Sequence, residues 1–177
     1  MSLGLIYKND KHVFDEAGDE VPFLEYPMLR KTGLVRHGFS TRLGGVSKGY
    51  YASMNLSFDR GDDPEAVREN FRRIGKAIGV AVEDMVMSKQ THTTNVRVVT
   101  EDDRGKGITR ERDYTDVDGL VTNVKGLCLV TSYADCVPLY FADPVRNVIG
   151  LSHSGWRGTV GKIGKKTVEL MTERFGS

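Results

Sequence analysis

Two strand-like segments that flank a short turn constrain the fold of this chain more than any other feature. They cover residues 136–142 (CVPLYFA) and 147–153 (NVIGLSH), and the sequence DPVRN connects them. Runs rich in β-branched and aromatic residues on either side of such a turn predict an antiparallel hairpin. Centring the turn near Val145 puts Cys136 opposite about residue 154. Cys136 and His153 then meet at the open end of the hairpin, with Cβ atoms about 5 Å apart.

A cysteine and a histidine at this spacing are compatible with three roles. They can form a thiolate–imidazolium pair that acts as a nucleophile, or share a soft or borderline metal ion such as zinc or copper. The third role is structural, as a buried thiol and a hydrogen-bonded core histidine. A one-residue shift in register would turn the two side chains to opposite faces, unless a bulge near Pro138 restores their alignment.

Two neighbouring features favour a functional role for the pair. Asp135 directly precedes Cys136, and a buried carboxylate beside a thiol needs a compensating cation or donor. His92 lies in the polar turn SKQTHTTNV between two predicted strands. It is therefore a candidate to complete a His–Cys–His set, although its distance from Cys136 along the chain matches no local metal-binding motif.

The remaining sequence predicts a mixed α/β fold within one domain, residues 1–177. Helices are expected over 61–79 and 159–177, and an N-terminal hairpin region over 1–32, with Leu3–Phe14 folding back near Val21–Glu25. The further strands are expected at 84–88, 95–100, 120–123 and 126–132. Residues 37–57 are expected to form a long structured loop, and the charged residues 101–118 an exposed one. The inward-facing residues are expected to be Val67, Phe71, Ile74 and Ile78 in the first helix, and Val160, Ile163, Thr167, Val168 and Met171 in the second.

Charge and composition limit the classes of partner. The formal net charge of +1 gives no reason to expect binding to nucleic acid or to an anionic membrane. The two cysteines are few for a secreted scaffold, and the N-terminus does not resemble a secretion signal. We therefore expect a cytoplasmic protein, either a monomer or a homodimer.

Several blocks of sequence, in order, resemble the YfiH-like family from about residue 33 to the chain end. These blocks are HGFSTRLGGVS, MNLS, GDDPEAVRENFRRI, KQTH, DVDGLVT, YADCVPL and HSGWRGTV. This family is also called the laccase-domain or multicopper polyphenol oxidoreductase family, and its members are regarded mainly as purine nucleoside phosphorylases. The resemblance implies layered α/β/β packing with a partly antiparallel sheet. It also implies that the chain, which ends at Ser177, is truncated at its C-terminus relative to the family.

The resemblance further implies a zinc ion held by His92, Cys136 and His153, with copper as an alternative. The implied substrates are adenosine, inosine, guanosine and methylthioadenosine with phosphate, together with deamination of adenosine. Three protein ligands leave a fourth position open, which is typical of catalytic zinc. Deamination also needs a carboxylate that is not a ligand, for which Asp135 is favoured slightly over Asp118.

Phosphorolysis requires an anion site, and arginine side chains are suited to it. Arg157, at the start of the last helix, and Arg42, beside two glycines, are the candidates. Ser40 and Asn55 are candidate hydrogen-bonding partners of the substrate, and Trp156 is expected to be a packing anchor. The alternative functions are a copper-dependent polyphenol oxidase, which four histidines make unfavourable, a Cys–His hydrolase, and a metal-binding module without turnover.

Overall fold

The computed structural model describes residues 15–177 of the chain. Backbone contacts separate two compact units, with the boundary between Ala81 and Val82. Each unit has its own sheet and its own buried cluster of apolar side chains, and the prediction of one domain stays a prediction. The expected strand at Leu3–Phe14 lies outside the described residues.

The first unit, as far as it is described, combines a three-stranded antiparallel sheet with helices. Its elements are β1 (Asp15–Ala17), β2 (Phe23–Glu25), α1 (Pro27–Thr32), β3 (Phe39–Ser40) and α2 (Pro64–Ile78), and the strand order is β1-β2-β3. The helix expected over 61–79 is confirmed as α2. The Asp63 side chain caps α2 by accepting the Glu65 N–H at 3.0 Å, and Gly79 ends it in a left-handed conformation (φ 82°).

The loop expected over 37–57 is ordered by one buried side chain of α2. The Asn70 carboxamide accepts the Val46 N–H at 2.8 Å and donates to the carbonyl of Asn55 at 2.8 Å and to the hydroxyl of Ser47 at 2.9 Å. Because Asn70 is fully buried, these bonds replace solvent for both the amide and the loop backbone. The loop is therefore structured, as the sequence predicts.

The second unit contains a mixed four-stranded sheet, a separate pair of strands and helices. Its elements are β4 (Met85–Met87), β5 (Val96–Val98), β6 (Gly119–Thr122), β7 (Cys128–Val130), β8 (Val137–Asp143), β9 (Val148–Ser154), α3 (Trp156–Val160) and α4 (Ile163–Phe175). The sheet order is β5-β6-β9-β8, where β5 and β6 are parallel and the other pairs antiparallel. The strands β4 and β7 form a parallel pair of their own.

Alternation of side chains along β6 produces three layers. Val121 on one face joins Val148 and Met171 in a buried cluster between the sheet and α4. Leu120 on the other face joins a cluster that includes Val86 of the β4–β7 pair. The order helix, sheet, strand pair confirms the expected layered α/β/β packing within this unit.

The charged segment 101–118 is not the exposed loop that the sequence predicts. Asp103, Lys106 and Tyr114 are buried within it. The Lys106 ammonium donates to Asp103 at 2.7 Å and to Asp113 at 2.9 Å, so that the charges compensate one another instead of requiring water. The Tyr114 hydroxyl donates to the carbonyl of Met87 at 2.8 Å, which anchors the segment to the end of β4.

The C-terminal helical region also differs from the prediction, because it is divided into α3 and α4. Lys162, between them, has φ 62°, a left-handed conformation that interrupts a helix. Val160 is 74% exposed, and Val168 is 47% exposed. The inward positions of α4 are Ile163, Thr167 and Met171. Among the described residues, no helix combines the length and the apolar character needed to cross a bilayer.

Candidate metal centre

The β8–β9 hairpin brings Cys136 and His153 together, but in a register that differs by one residue from the prediction. Val137 pairs with Ser154, and Pro138 pairs with His153. Extending this register by one residue places Cys136 opposite Gly155. Because alternate residues of a strand share a face, His153 then points to the same side as Cys136. The observed register therefore solves the alignment problem without a bulge.

His92 completes the cluster from the turn between β4 and β5. The candidate ligand atoms of His92, Cys136 and His153 all lie within 4.8 Å of one another. The rings of the two histidines are 4.9 Å apart between centroids and nearly perpendicular, at 80°. His153 is buried, Cys136 is half-buried and His92 is exposed. The structure thus brings together the three predicted ligands, with one side of the cluster open to solvent.

Gly155 leaves the space in front of these three side chains free. A Cβ atom at this position would lie 3.0 Å from Sγ of Cys136 and 3.1 Å from Cδ2 of His92. Zinc bonds of about 2.0–2.3 Å to nitrogen and sulfur in a tetrahedron require ligand atoms about 3.5 Å apart. The donor set and the spacing therefore fit zinc after a contraction of about 1 Å. Gly155 belongs to the block HSGWRGTV, and no local sequence signal indicates this role.

Asp118 lies directly behind the two histidines and is fully buried. Its carboxylate accepts the backbone N–H groups of Thr91, His92 and Thr93 at 2.9–3.0 Å and lies 2.8 Å from Nδ1 of His153. Burial alone would raise the pKa of this carboxyl, but the hydrogen bonds from the amides and from His153 lower it below its ordinary value. The carboxylate is therefore ionised, with its oxygens already occupied.

Gln90 and Tyr133 support the cluster and were not singled out from the sequence. The Gln90 side chain accepts the Ser132 N–H and donates to the Ser132 carbonyl, both at 2.7 Å, which joins the segments that follow β4 and β7. The Tyr133 ring lies 5.6 Å from the His153 ring. The only sequence signal for either residue is its position close to a predicted ligand, in KQTH and YADC.

Asp135 is exposed and lies beside the candidate thiol ligand. One of its carboxylate oxygens is 3.6 Å from Sγ of Cys136. Partial burial raises the pKa of the Cys136 thiol, and the bond to Asp135 and the charges of Asp135 and Asp118 raise it further. A nucleophilic cysteine needs the opposite shift, whereas a metal cation would compensate this negative environment.

Arg157 and Trp156 lie at the start of α3, immediately after the cluster. Both are exposed, and the guanidinium carbon of Arg157 lies 5.4 Å from the Trp156 ring centroid. Trp156 is 73% exposed, so the prediction that it is a packing anchor is wrong. The Trp156 side chain therefore contributes little to the core.

The three remaining predicted site residues belong to the first unit. Arg42 donates through Nε to the carbonyl of Ala52 at 2.5 Å, and Asn55 donates to Asp62 at 3.0 Å. Ser40 lies in β3, where its backbone pairs with Phe23. Arg42 and Asn55 thus help to order their own loop. Substrate binding by Arg42, Asn55 and Ser40 stays a prediction.

Comparisons with known proteins agree with the resemblance seen in the sequence. A Deinococcus radiodurans protein named purine nucleoside phosphorylase is 46% identical over 146 residues, which cover 82% of this chain and 53% of that protein. A protein named adenosine deaminase, from an unknown prokaryotic organism, is 38% identical over 135 residues, covering 75% and 52% of the two chains. The crystal structure of a Bacillus licheniformis protein named YfiH superimposes with a TM-score of 0.81 at 33% identity, covering 88% of this chain and 57% of that one.

The chain spans about half the length of the relatives that it matches. Its residues 36–177 match the profile of the family described as multi-copper polyphenol oxidoreductase laccase. This match covers most of the chain and includes all three candidate metal ligands. The chain therefore belongs to the multi-copper polyphenol oxidoreductase laccase family, whose members include YfiH.

Proposed function

We propose that the protein is a zinc-dependent purine nucleoside phosphorylase that also deaminates adenosine. Adenosine, inosine, guanosine and methylthioadenosine are the proposed nucleosides, and phosphate is the second substrate. The observation that carries the proposal is the convergence of His92, Cys136 and His153 within 4.8 Å on an open side of the second unit. The names of the relatives, purine nucleoside phosphorylase and adenosine deaminase, support the same reaction classes.

The donor set supports zinc as the metal. Two imidazoles and one thiolate are common zinc ligands, and three protein ligands are typical of catalytic sites. When bound, zinc supplies a Lewis acid with a position open to substrate or water. His92, Cys136 and His153 would hold the ion, and Gly155 leaves room for it beside them.

The surrounding side chains suit the two reactions. Arg157 is exposed next to the cluster, where its guanidinium is available to bind phosphate. Asp135 is exposed beside Cys136, where its carboxylate can accept a proton from a reacting group and return it. Asp118 does not suit that task, since its oxygens already accept several hydrogen bonds. We therefore assign proton transfer to Asp135 and phosphate binding to Arg157.

A metal-binding module without turnover is the second candidate for these 177 residues. All three proposed ligands lie in the chain, yet the chain spans about half the length of its relatives. The chain would bind zinc without turnover if substrate binding requires the part of the relatives that this chain does not span. The Cys–His hydrolase is disfavoured by the raised pKa of Cys136, and the copper phenol oxidase by the small number of histidines.

The test measures bound metal and then product formation from inosine with and without phosphate. The proposal expects about one zinc per chain and hypoxanthine only when phosphate is present. Both should be lost in His92→Ala and Cys136→Ala. The variant Cys128→Ala removes the other free thiol, which lies in β7, and should retain zinc and turnover.

Three results separate the candidates. Full turnover in zinc-free protein would exclude the metal mechanism. The binding module would be supported if this chain binds zinc but forms no hypoxanthine, while a protein of the relatives' length binds zinc and does form hypoxanthine. Oxidation of a phenol by copper-loaded protein, without phosphorolysis, would support the oxidase.

A further inference from the structure

The Asp118 carboxylate joins the two candidate histidine ligands, which lie 61 positions apart in the sequence. It accepts the N–H groups of Thr91, His92 and Thr93, and the Thr93 hydroxyl at 3.3 Å. Oδ1, the oxygen that accepts the His92 N–H, also lies 2.8 Å from Nδ1 of His153. Its backbone is also fixed, because its carbonyl accepts the His153 N–H at 2.7 Å and its own N–H donates to the carbonyl of Asn95.

The contact with His153 determines which ring nitrogen can bind a metal. Both oxygens of the Asp118 carboxylate already accept backbone N–H groups, so this group serves as an acceptor and Nδ1 of His153 carries the proton between them. In the neutral imidazole the other nitrogen, Nε2, then has a free lone pair. Metal-binding histidines generally donate their second N–H to a carboxylate or a carbonyl in this way, which fixes the tautomer and the ring orientation.

The contacts with the 91–93 turn fix the second histidine. His92 has φ 65°, a left-handed conformation that residues other than glycine adopt rarely. Three consecutive N–H groups of this turn point at one carboxylate, which compensates for the unfavourable backbone. The turn in this shape brings the His92 ring to 4.9 Å from the His153 ring.

We infer that Asp118 is a positioning residue that orients two of the three ligands of the metal centre at once. It selects the Nδ1–H tautomer of His153, and it holds the turn that presents His92. This inference rests on the proposed metal centre, but the tautomer of His153 is a property of the metal-free protein. Asp118 is therefore not the proton-transfer group that the sequence alone allowed it to be.

The decisive variant is Asp118→Asn, since a carboxamide has one accepting oxygen and one donating nitrogen. If the oxygen keeps the bonds to the N–H groups of Thr91 and Thr93, the amide N–H₂ takes the place of Oδ1 and faces both the His92 N–H and Nδ1 of His153. The ring proton then moves to Nε2 and blocks the metal-binding nitrogen. We expect the Nε2–H tautomer in ¹⁵N NMR spectra of the metal-free variant at a pH where the ring is neutral. We also expect zinc affinity to fall by about 10- to 100-fold in competition with a chromophoric chelator.

Asp116→Asn is the matched control. Asp116 is also bonded to this turn, through the hydroxyl of Thr91 and the amide of Asn95 at 2.8 Å, but it does not contact either histidine. It is exposed, and asparagine tolerates its left-handed conformation (φ 57°). We expect this variant to keep the Nδ1–H tautomer of His153 and a zinc affinity within about threefold of wild type, well below the effect of losing an orienting carboxylate.

Two results would overturn the inference. The first is an Nε2–H tautomer in the metal-free wild-type protein, a measurement that decides the question even if Asp118→Asn does not fold. The second is an unchanged tautomer and zinc affinity in a folded Asp118→Asn variant. Absence of nucleoside turnover would contradict the proposed function while leaving both readouts intact.

Discussion

At the scale of single residues, Gly155 controls the space that a metal ion would share with its ligands. Its φ of −74° is accessible to every amino acid, so only space limits the side chain here. Alanine would place Cβ 3.0 Å from Sγ of Cys136. We expect Gly155→Ala to weaken zinc binding by about 5- to 150-fold, because overpacking of this kind costs about 1–3 kcal/mol. Chelator competition measures the effect.

Gly158→Ala is the control for Gly155→Ala. It adds the same methyl group three residues later, in α3, where the nearest atoms would be 3.4 Å away in ordinary contact. Its zinc affinity should match that of the wild type. Equal affinities in both variants would mean that the metal does not occupy the space in front of Gly155.

His37 gives the first unit a dependence on pH. Its Nε2 accepts the Tyr26 N–H at 2.8 Å, which requires an unprotonated nitrogen. Burial lowers the pKa of His37, with a contribution from Arg30, whereas Glu25 opposes the shift. The unfolded chain therefore takes up the proton first as the pH falls below about 6.5. The contribution of His37 to the free energy of unfolding is constant above that value, and it decreases as the pH falls from there towards the lower pKa of the folded state.

The variant His37→Gln tests whether His37 causes a loss of stability at low pH, since the glutamine oxygen can accept the Tyr26 N–H without titrating. Urea unfolding followed by circular dichroism at pH 7.5 and 5.5 should give a smaller loss of stability in the variant than in the wild type. An identical loss in both proteins would assign the pH dependence to other groups.

At the scale of elements, segment 101–118 depends on a buried ion pair. Lys106→Met would leave the Asp103 carboxylate buried without its closest cation, although Arg97 remains 3.6 Å away. We expect a loss of about 3 kcal/mol in the free energy of unfolding, at the lower end for breaking a buried pair. Lys165→Met breaks the exposed pair with Glu169 and should cost at most about 0.5 kcal/mol. Equal costs in urea denaturation would contradict the structural role of Lys106.

The strands and α2 could be predicted because local signals specify them. Asp63 and Gly79 bound α2, and alternating apolar runs mark the strands of the second unit to within two residues. The burial of segment 101–118 could not be predicted, because a charged sequence normally indicates a solvent-exposed loop. Only the structure shows that Lys106 lies between Asp103 and Asp113 and compensates their charges. The division of the last helix depends on one left-handed residue, Lys162, and lysine is not a residue type that indicates this conformation in a sequence.

The candidate site was predictable in its residue types but not in its alignment. His92, Cys136 and His153 stand out in the sequence, and the structure brings them together. Whether Cys136 and His153 share a face depends on the pairing of Pro138 with His153. A shift of one residue in the register would separate the two side chains, and the sequence of the turn alone does not determine the register to that precision. The role of Asp118 depends on contacts with two distant segments, which no local pattern encodes.

At the scale of the whole molecule, the three candidate ligands come from separate segments of the second unit. His92 follows β4, Cys136 precedes β8 and His153 belongs to β9. A metal ion that binds all three cross-links these segments in the folded state only. Saturation at about 100 times the dissociation constant would stabilise that state by about 2.7 kcal/mol. The first unit contributes none of the three ligands.

Hydrogen exchange with and without zinc should therefore separate the two units. We expect zinc to slow exchange most strongly around residues 88–95, 116–119 and 151–156, and a chelator to reverse the effect. Amides of residues 15–81 should change far less, because zinc cross-links only segments beyond Val82. His92→Ala should abolish the difference in the second unit. Equal protection in both units would show that they unfold together, and protection without His92 would place the metal elsewhere.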